Sequence, residues 1–120
     1  MTPVDLQSLI EDATADFALG DSSLALEKLV RATTAAPDSF GAWHALAEVN
    51  FSGRNLDAAL SAAERAHALK KDDLFINTTL SRIWMERGDK TRAEHFGAQA
   101  KILSWKDQLA NPGNHQEGVS

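Results

Sequence analysis

No cysteine occurs among the 120 residues, so disulfide bridges and thiolate metal sites are excluded. No apolar run approaches the roughly 18 residues that crossing a bilayer requires. The opening residues, MTPVDLQSLIEDA, lack a basic start and carry carboxylates where a signal peptide needs an apolar core, so the expected compartment is the cytoplasm. Positive charge is also scarce. Twelve Lys and Arg stand against 17 Asp and Glu, a net charge of −5, which argues against nucleic acid or an anionic membrane as the main partner.

The motifs of common chemistries are missing too. No serine sits in a GxSxG-like elbow, and there is no glycine-rich phosphate loop. His44, His67, His95 and His115 fall in different segments, with no i, i+4 pair and no HExxH. The adjacent carboxylates Glu11-Asp12 and Asp72-Asp73 fit capping and solvation better than acid–base work. No enzyme activity, metal or cofactor is therefore expected. Sustained period-2 alternation is absent as well, so strands are not expected.

What the sequence does contain is a period. Ala25, Ala59 and Ala93 lie 34 residues apart, and so do Ala32, Ala66 and Ala100. A fixed period of this length signals stacked supersecondary units. Aligned on these alanines, the chain divides into segments 6–39, 40–73 and 74–107, each with two amphipathic helical stretches.

The first stretch runs from about Pro3 to Leu19. Thr2 is placed to cap it, and Asp5 completes a capping-box pattern. Leu6, Leu9, Ile10, Ala13 and Phe17 share one of its faces. Gly20 supplies a stop and Asp21 or Ser22 a new cap; Leu24, Leu26, Leu29 and Val30 then follow as far as Pro37. Segment two repeats the scheme with Trp43, Leu46, Ala47 and Phe51, a break at Gly53, a cap at Asn55, and Ala59, Leu60, Ala63, Ala66 and Leu69. Segment three offers Ile76, Leu80, Ile83 and Trp84, then Gly88-Asp89, then Ala93, Phe96, Gly97, Ala100 and Leu103. Residues 110–120, rich in turn formers, are expected to be a disordered tail after a single domain spanning 1–109.

These residues resemble the tetratricopeptide repeat, a 34-residue helix–turn–helix unit. The resemblance covers about 102 of the 120 residues and is best in segment two, with Trp43, Leu46, Ala47, Ala59 and Ala66 at signature positions. It implies an all-α fold: an α-solenoid of three repeats, six antiparallel helices in a right-handed superhelix. Departures are specific. Asp16 and Asn50 occupy a site where the family prefers a large aromatic, and only Trp84 conforms. Phe17 and Phe51 come one residue later, Gly53 one residue early, Asp12 replaces a leucine and Lys71 a proline.

The resemblance also implies a concave groove lined by the first helix of each repeat. Its main positions here are Ile10, Thr14 and Phe17, then His44, Glu48 and Phe51, then Thr78, Arg82 and Met85. Phe17, Phe51 and Met85 form a third ladder of period 34. Either they replace the missing aromatic in packing or they form an apolar strip for a ligand, and Met85, beside Trp84, is the member expected to be available. The carboxylate clamp of some relatives would fall on Ile10, Thr14, Ala45, Phe75 and Thr79, so it is absent, and chaperone C-terminal tails are not expected ligands.

A second candidate interface is the end of the third repeat, with Phe96, Ile102, Leu103, Trp105 and Leu109: either Trp105 and Leu109 fold back over it, or the face meets another chain. The function these features imply is a non-catalytic module binding a protein or peptide partner. One alternative is a secretion or assembly chaperone holding an apolar partner segment. Another is a self-associating protein, since residues 1–39 hold seven carboxylates against Lys28 and Arg31, whereas 74–107 hold six basic and four acidic residues.

Overall fold

The computed structural model describes residues 1–112 as six helices: α1 (Pro3–Ala18), α2 (Ser22–Ala35), α3 (Phe40–Ser52), α4 (Leu56–Leu69), α5 (Leu74–Glu86) and α6 (Lys90–Ala110). No strand occurs among the described residues. Most of the expected tail, with His115, lies outside them. The helices gather into two compact units, one of residues 1–71 holding α1 to α4 and one from Asp72 onward holding α5 and α6. In the first unit α1 packs on α2, α3 on α4, and α3 also meets α2 and α1; in the second, α5 packs on α6.

Helix starts are set locally. The side chains of Thr2, Asp21, Ser39, Asp73 and Asp89 each accept a hydrogen bond from the backbone N–H three residues on. Thr2 and Asp5 close the expected capping box, and this bonding holds the Asp5 carboxyl below its ordinary pKa. Asn55 heads α4 without a side-chain cap bond.

The turns inside the repeats share one hydrogen-bond pattern, also at period 34. Asp21, Asn55 and Asp89 donate their N–H to the carbonyls of Asp16, Asn50 and Trp84; Gly20, Arg54 and Gly88 donate to those of Phe17, Phe51 and Met85. This is the Schellman ending, which requires a left-handed residue in the middle. Gly20 (φ 89°) and Gly88 (φ 83°) supply it. In repeat two the expected breaker, Gly53, has an ordinary φ of −80°, and Arg54 takes the left-handed conformation at φ 61°. The hydrogen-bond register dictates which residue must turn, and the glycine stands one position early.

The alanine ladders form the core. All six members are buried, the least so being Ala100 at 8% exposure. A methyl side chain lets the second helix of a repeat lie close against the first, and Leu29, Leu46, Ile76, Leu80 and Ile83 fill the spaces between. One close approach is in unit two. A Cβ at Gly97 would stand 3.2 Å from Ser81 Oγ, and that hydroxyl donates to the carbonyl of Ala93 at 2.7 Å.

Candidate functional site

The nine expected groove residues are three more ladders on first helices: Ile10–His44–Thr78, Thr14–Glu48–Arg82 and Phe17–Phe51–Met85. Six of them lie in unit one, where α1 and α3 present them side by side; a methyl at Gly41 of α3 would stand 4.0 Å from Ile10 Cδ1. Ile10, Phe17, His44, Glu48 and Phe51 are half-buried and Thr14 is exposed. His44 Nε2 lies 3.6 Å from Glu48 Oε1 one turn on, and its ring sits 5.5 Å from that of Phe40. The Thr14 and Thr78 hydroxyls donate to carbonyls one turn back in their own helices, leaving lone pairs for a ligand. This face is mixed in character, with aromatic edges between small polar groups.

The position that lacks its aromatic in two repeats is solved three ways. In repeat one Asp16 Oδ2 receives Lys28 Nζ at 2.6 Å and has no other hydrogen-bond partner. That bond raises the Lys28 pKa above its ordinary value. In repeat two Asn50 is buried and donates to the Leu46 carbonyl at 3.1 Å, beside an open cleft of about 350 Å³ lined by Leu26, Val30, Trp43 and Leu46 among others. In repeat three Trp84 carries two guanidinium groups over its ring, Arg92 at 4.9 Å and Arg87 at 5.6 Å. Arg92 also bonds Asp89, whose carboxyl is held below its ordinary pKa by the Arg92 backbone N–H and guanidinium.

Unit two joins residues that the sequence places in separate sites. Met85, 55% exposed, lines a cleft of about 450 Å³ with Ser81, Glu94, Gly97, Ala98 and Lys101. Ala98 and Lys101 also line a second cleft of about 770 Å³, with Ile102, Ser104, Trp105 and Gln108. The groove residue Met85 and the terminal residues Ile102 and Trp105 therefore border one continuous, largely apolar face. Its edges carry Glu94 and Lys101.

The five expected terminal residues do not act together. Ile102, Trp105 (64% exposed) and Leu109 (70% exposed) face outward. Phe96 and Leu103 are half-buried and share the side of α6 that carries buried Ala93 and Ala100. The reason is the 100° step of the helix: 102, 105 and 109 fall on one stripe, 93, 96, 100 and 103 on the other.

The burial of two polar residues, Asn77 and Thr79, was not foreseen from the sequence. Asn77 is 1% exposed at the position equivalent to Trp43, its amide donating to the Asp73 carbonyl at 2.8 Å. Thr79, a clamp position, is 2% exposed and donates to the Phe75 carbonyl, so it offers a ligand nothing. The signal for Asn77 was its alignment with Trp43. Ala98 was missed as well, and its spacing of four from Ile102 was the available clue. Among the described residues no group of three or more His, Asp or Glu is arranged to hold a metal ion, and no helix is long and apolar enough to cross a membrane.

With six helices and a 34-residue period in both side chains and turns, the deciding comparison is with solved structures. The chain has the tetratricopeptide-repeat fold. It resembles a chain of a CopN-Scc3 complex with a TM-score of 0.80 at 14% identity, over 86% of this chain and 61% of that one. It resembles MamA with a TM-score of 0.81 at 18% identity, over 87% of this chain and 61% of that one. A Thermobaculum terrenum O-GlcNAc transferase matches with a TM-score of 0.79 at 23% identity, over 86% of this chain but 20% of the enzyme. The chain thus spans about three fifths of the first two structures. No family model matches it, and neither does any curated protein. At these identities the likeness establishes the fold alone.

Proposed function

We propose that the chain is a non-catalytic, cytoplasmic adaptor or assembly subunit that binds a protein partner through the exposed faces of its first helices and of α6. The observation that carries this reading is the continuous face of unit two, where Met85, Ala98, Ile102 and Trp105 form an apolar floor with Glu94 and Lys101 at its edge. An apolar centre with a charged rim is the anatomy of protein interfaces, and exposed patches of this kind mark interaction sites. The face of α1 and α3 adds His44 and Glu48 as orienting polar groups. One structural neighbour is described as part of a two-protein complex, which accords with this reading.

The alternative of a chaperone holding an apolar segment would need the Phe17–Phe51–Met85 ladder to be available. Half-burial of Phe17 and Phe51 favours their packing role, which leaves Met85 as the free member.

The test is affinity capture from the native source, followed by titration of the captured protein with purified wild type and with Met85→Glu. The reading requires a saturable partner whose affinity falls at least about tenfold in Met85→Glu. A source that yields no saturable partner, or a partner indifferent to Met85→Glu and to His44→Ala alike, overturns it.

A further inference from the structure

Helix α6 differs from its counterparts in length. In repeat register the last residues of α2 and α4, Ala35 and Leu69, both correspond to Leu103, yet α6 continues through Ala110. The extra turns, Ser104–Ala110, carry Trp105 and Leu109, and extend an outward stripe of Ala98, Ile102, Trp105 and Leu109. Their spacing of four, three and four is the seam of a two-helix coiled coil. A repeat stacked in register cannot cover turns that the register lacks, so this seam calls for a different occupant.

We propose that the seam pairs with the same seam of a second copy, antiparallel, about a two-fold axis between Ile102 and Trp105. The inference rests on the reading of the chain as a protein-interaction module and names one partner for it: the chain itself. The register is self-complementary. Trp105 meets Ile102 of the second copy in the two central layers, and the small Ala98 leaves room for Leu109 of the second copy in the two outer ones. The cleft of about 770 Å³ beside Trp105 is the hole such a knob needs.

Charge selects this arrangement over the other two ways in which copies could meet. Antiparallel pairing sets Lys101 beside Gln108, and Lys106 beside Gln99, of the second copy, so each lysine flanks a neutral amide. Parallel pairing would set Lys101 against Lys106 on both flanks. Head-to-tail stacking, with α6 of one copy on α1 of the next, would repeat the α2–α3 contact, where Leu26 and Leu46 line one cleft. Their counterparts on the outer faces are Glu94 and Asp12, both exposed carboxylates. Stacking would bury one against the other. The same two residues thereby stop the pairing at a dimer.

The interface is small, so the dimer is weak. Sedimentation velocity on the purified full chain, from about 5 μM to about 500 μM, should show a monomer–dimer equilibrium with no larger species. Trp105→Glu, at an exposed position, should keep the helical circular dichroism and raise the dimer dissociation constant about thirtyfold or more, since two central anchors are lost per dimer. Because the chain lacks cysteine, orientation can be read directly. Mixed Ala98→Cys and Leu109→Cys chains should form the heterodisulfide in preference to either homodisulfide.

A monomer at every concentration overturns the inference, as does a dimer that survives Trp105→Glu. Open-ended oligomers do so too, and so does a dominant Ala98→Cys homodisulfide, which reports parallel strands. A purified chain that stays monomeric while a captured partner still binds would remove the dimer and leave the adaptor reading standing.

Discussion

Lys28 Nζ reaches Asp16 Oδ2 at 2.6 Å across the first helix pair, at the position where repeat three carries Trp84. The Lys28 pKa is raised by this bond, so the folded state holds the proton more tightly than the unfolded chain. The stabilisation is fully present below the ordinary lysine value of 10.5 and is lost as pH rises through the higher folded value. Lys28→Met should therefore lower the melting temperature at pH 7, and the gap to wild type should narrow above pH 10.5. Thermal denaturation at neutral and alkaline pH checks it; a gap that widens with pH would contradict the assignment.

Arg54 carries a left-handed backbone that Gly20 and Gly88 carry in the other repeats. A side chain in that region costs about 1–2 kcal/mol, partly offset by the greater freedom of glycine in the unfolded chain. Arg54→Gly should stabilise the protein by about 1 kcal/mol, while Gly20→Ala should cost about as much. Gly53→Ala, at φ −80° with ordinary contacts of 3.6 Å or more, should cost nothing. Urea unfolding of the three variants reads all three signs.

Gly97 of α6 faces Ser81 of α5 at close range. A larger branched side chain at 97 must displace Ser81, whose hydroxyl donates to the Ala93 carbonyl at 2.7 Å. Gly97→Leu should lose about 2 kcal/mol or more. Gly97→Ala combined with Ser81→Ala should lose less than Gly97→Leu, because the smaller pair restores the gap. Chemical denaturation of these variants provides the comparison.

Asn50 is a buried amide whose bond runs to its own helix, beside a cleft lined mostly by apolar side chains. Asn50→Leu should add about 1 kcal/mol, since it removes a desolvated polar group and fills the space. A lower urea midpoint in that variant would show the amide to be worth more than the packing.

Much of this could be read from residue order. Helix starts followed from Thr2, Asp21 and Asp89, because a cap acts within three residues of itself. The Gly53 reading failed on a matter of one residue, since the Schellman register counts hydrogen bonds and not glycines. The candidate sites were legible as positions and illegible as surfaces. Met85 and Trp105, assigned from the sequence to different sites of the third repeat, border one face because α5 packs on α6.

The chain by itself determined six helices, their pairing and the burial of the alanine ladders. Those features follow from a 34-residue repeat read through a helix that turns 100° per residue, and neither quantity depends on distant contacts. Tertiary packing alone decided that Asp16 finds Lys28, and that Ile102, Trp105 and Leu109 stay outside while Phe96 and Leu103 turn inward. Each of these depends on the rotation of a whole helix about its axis. That rotation is set by the neighbour it packs against.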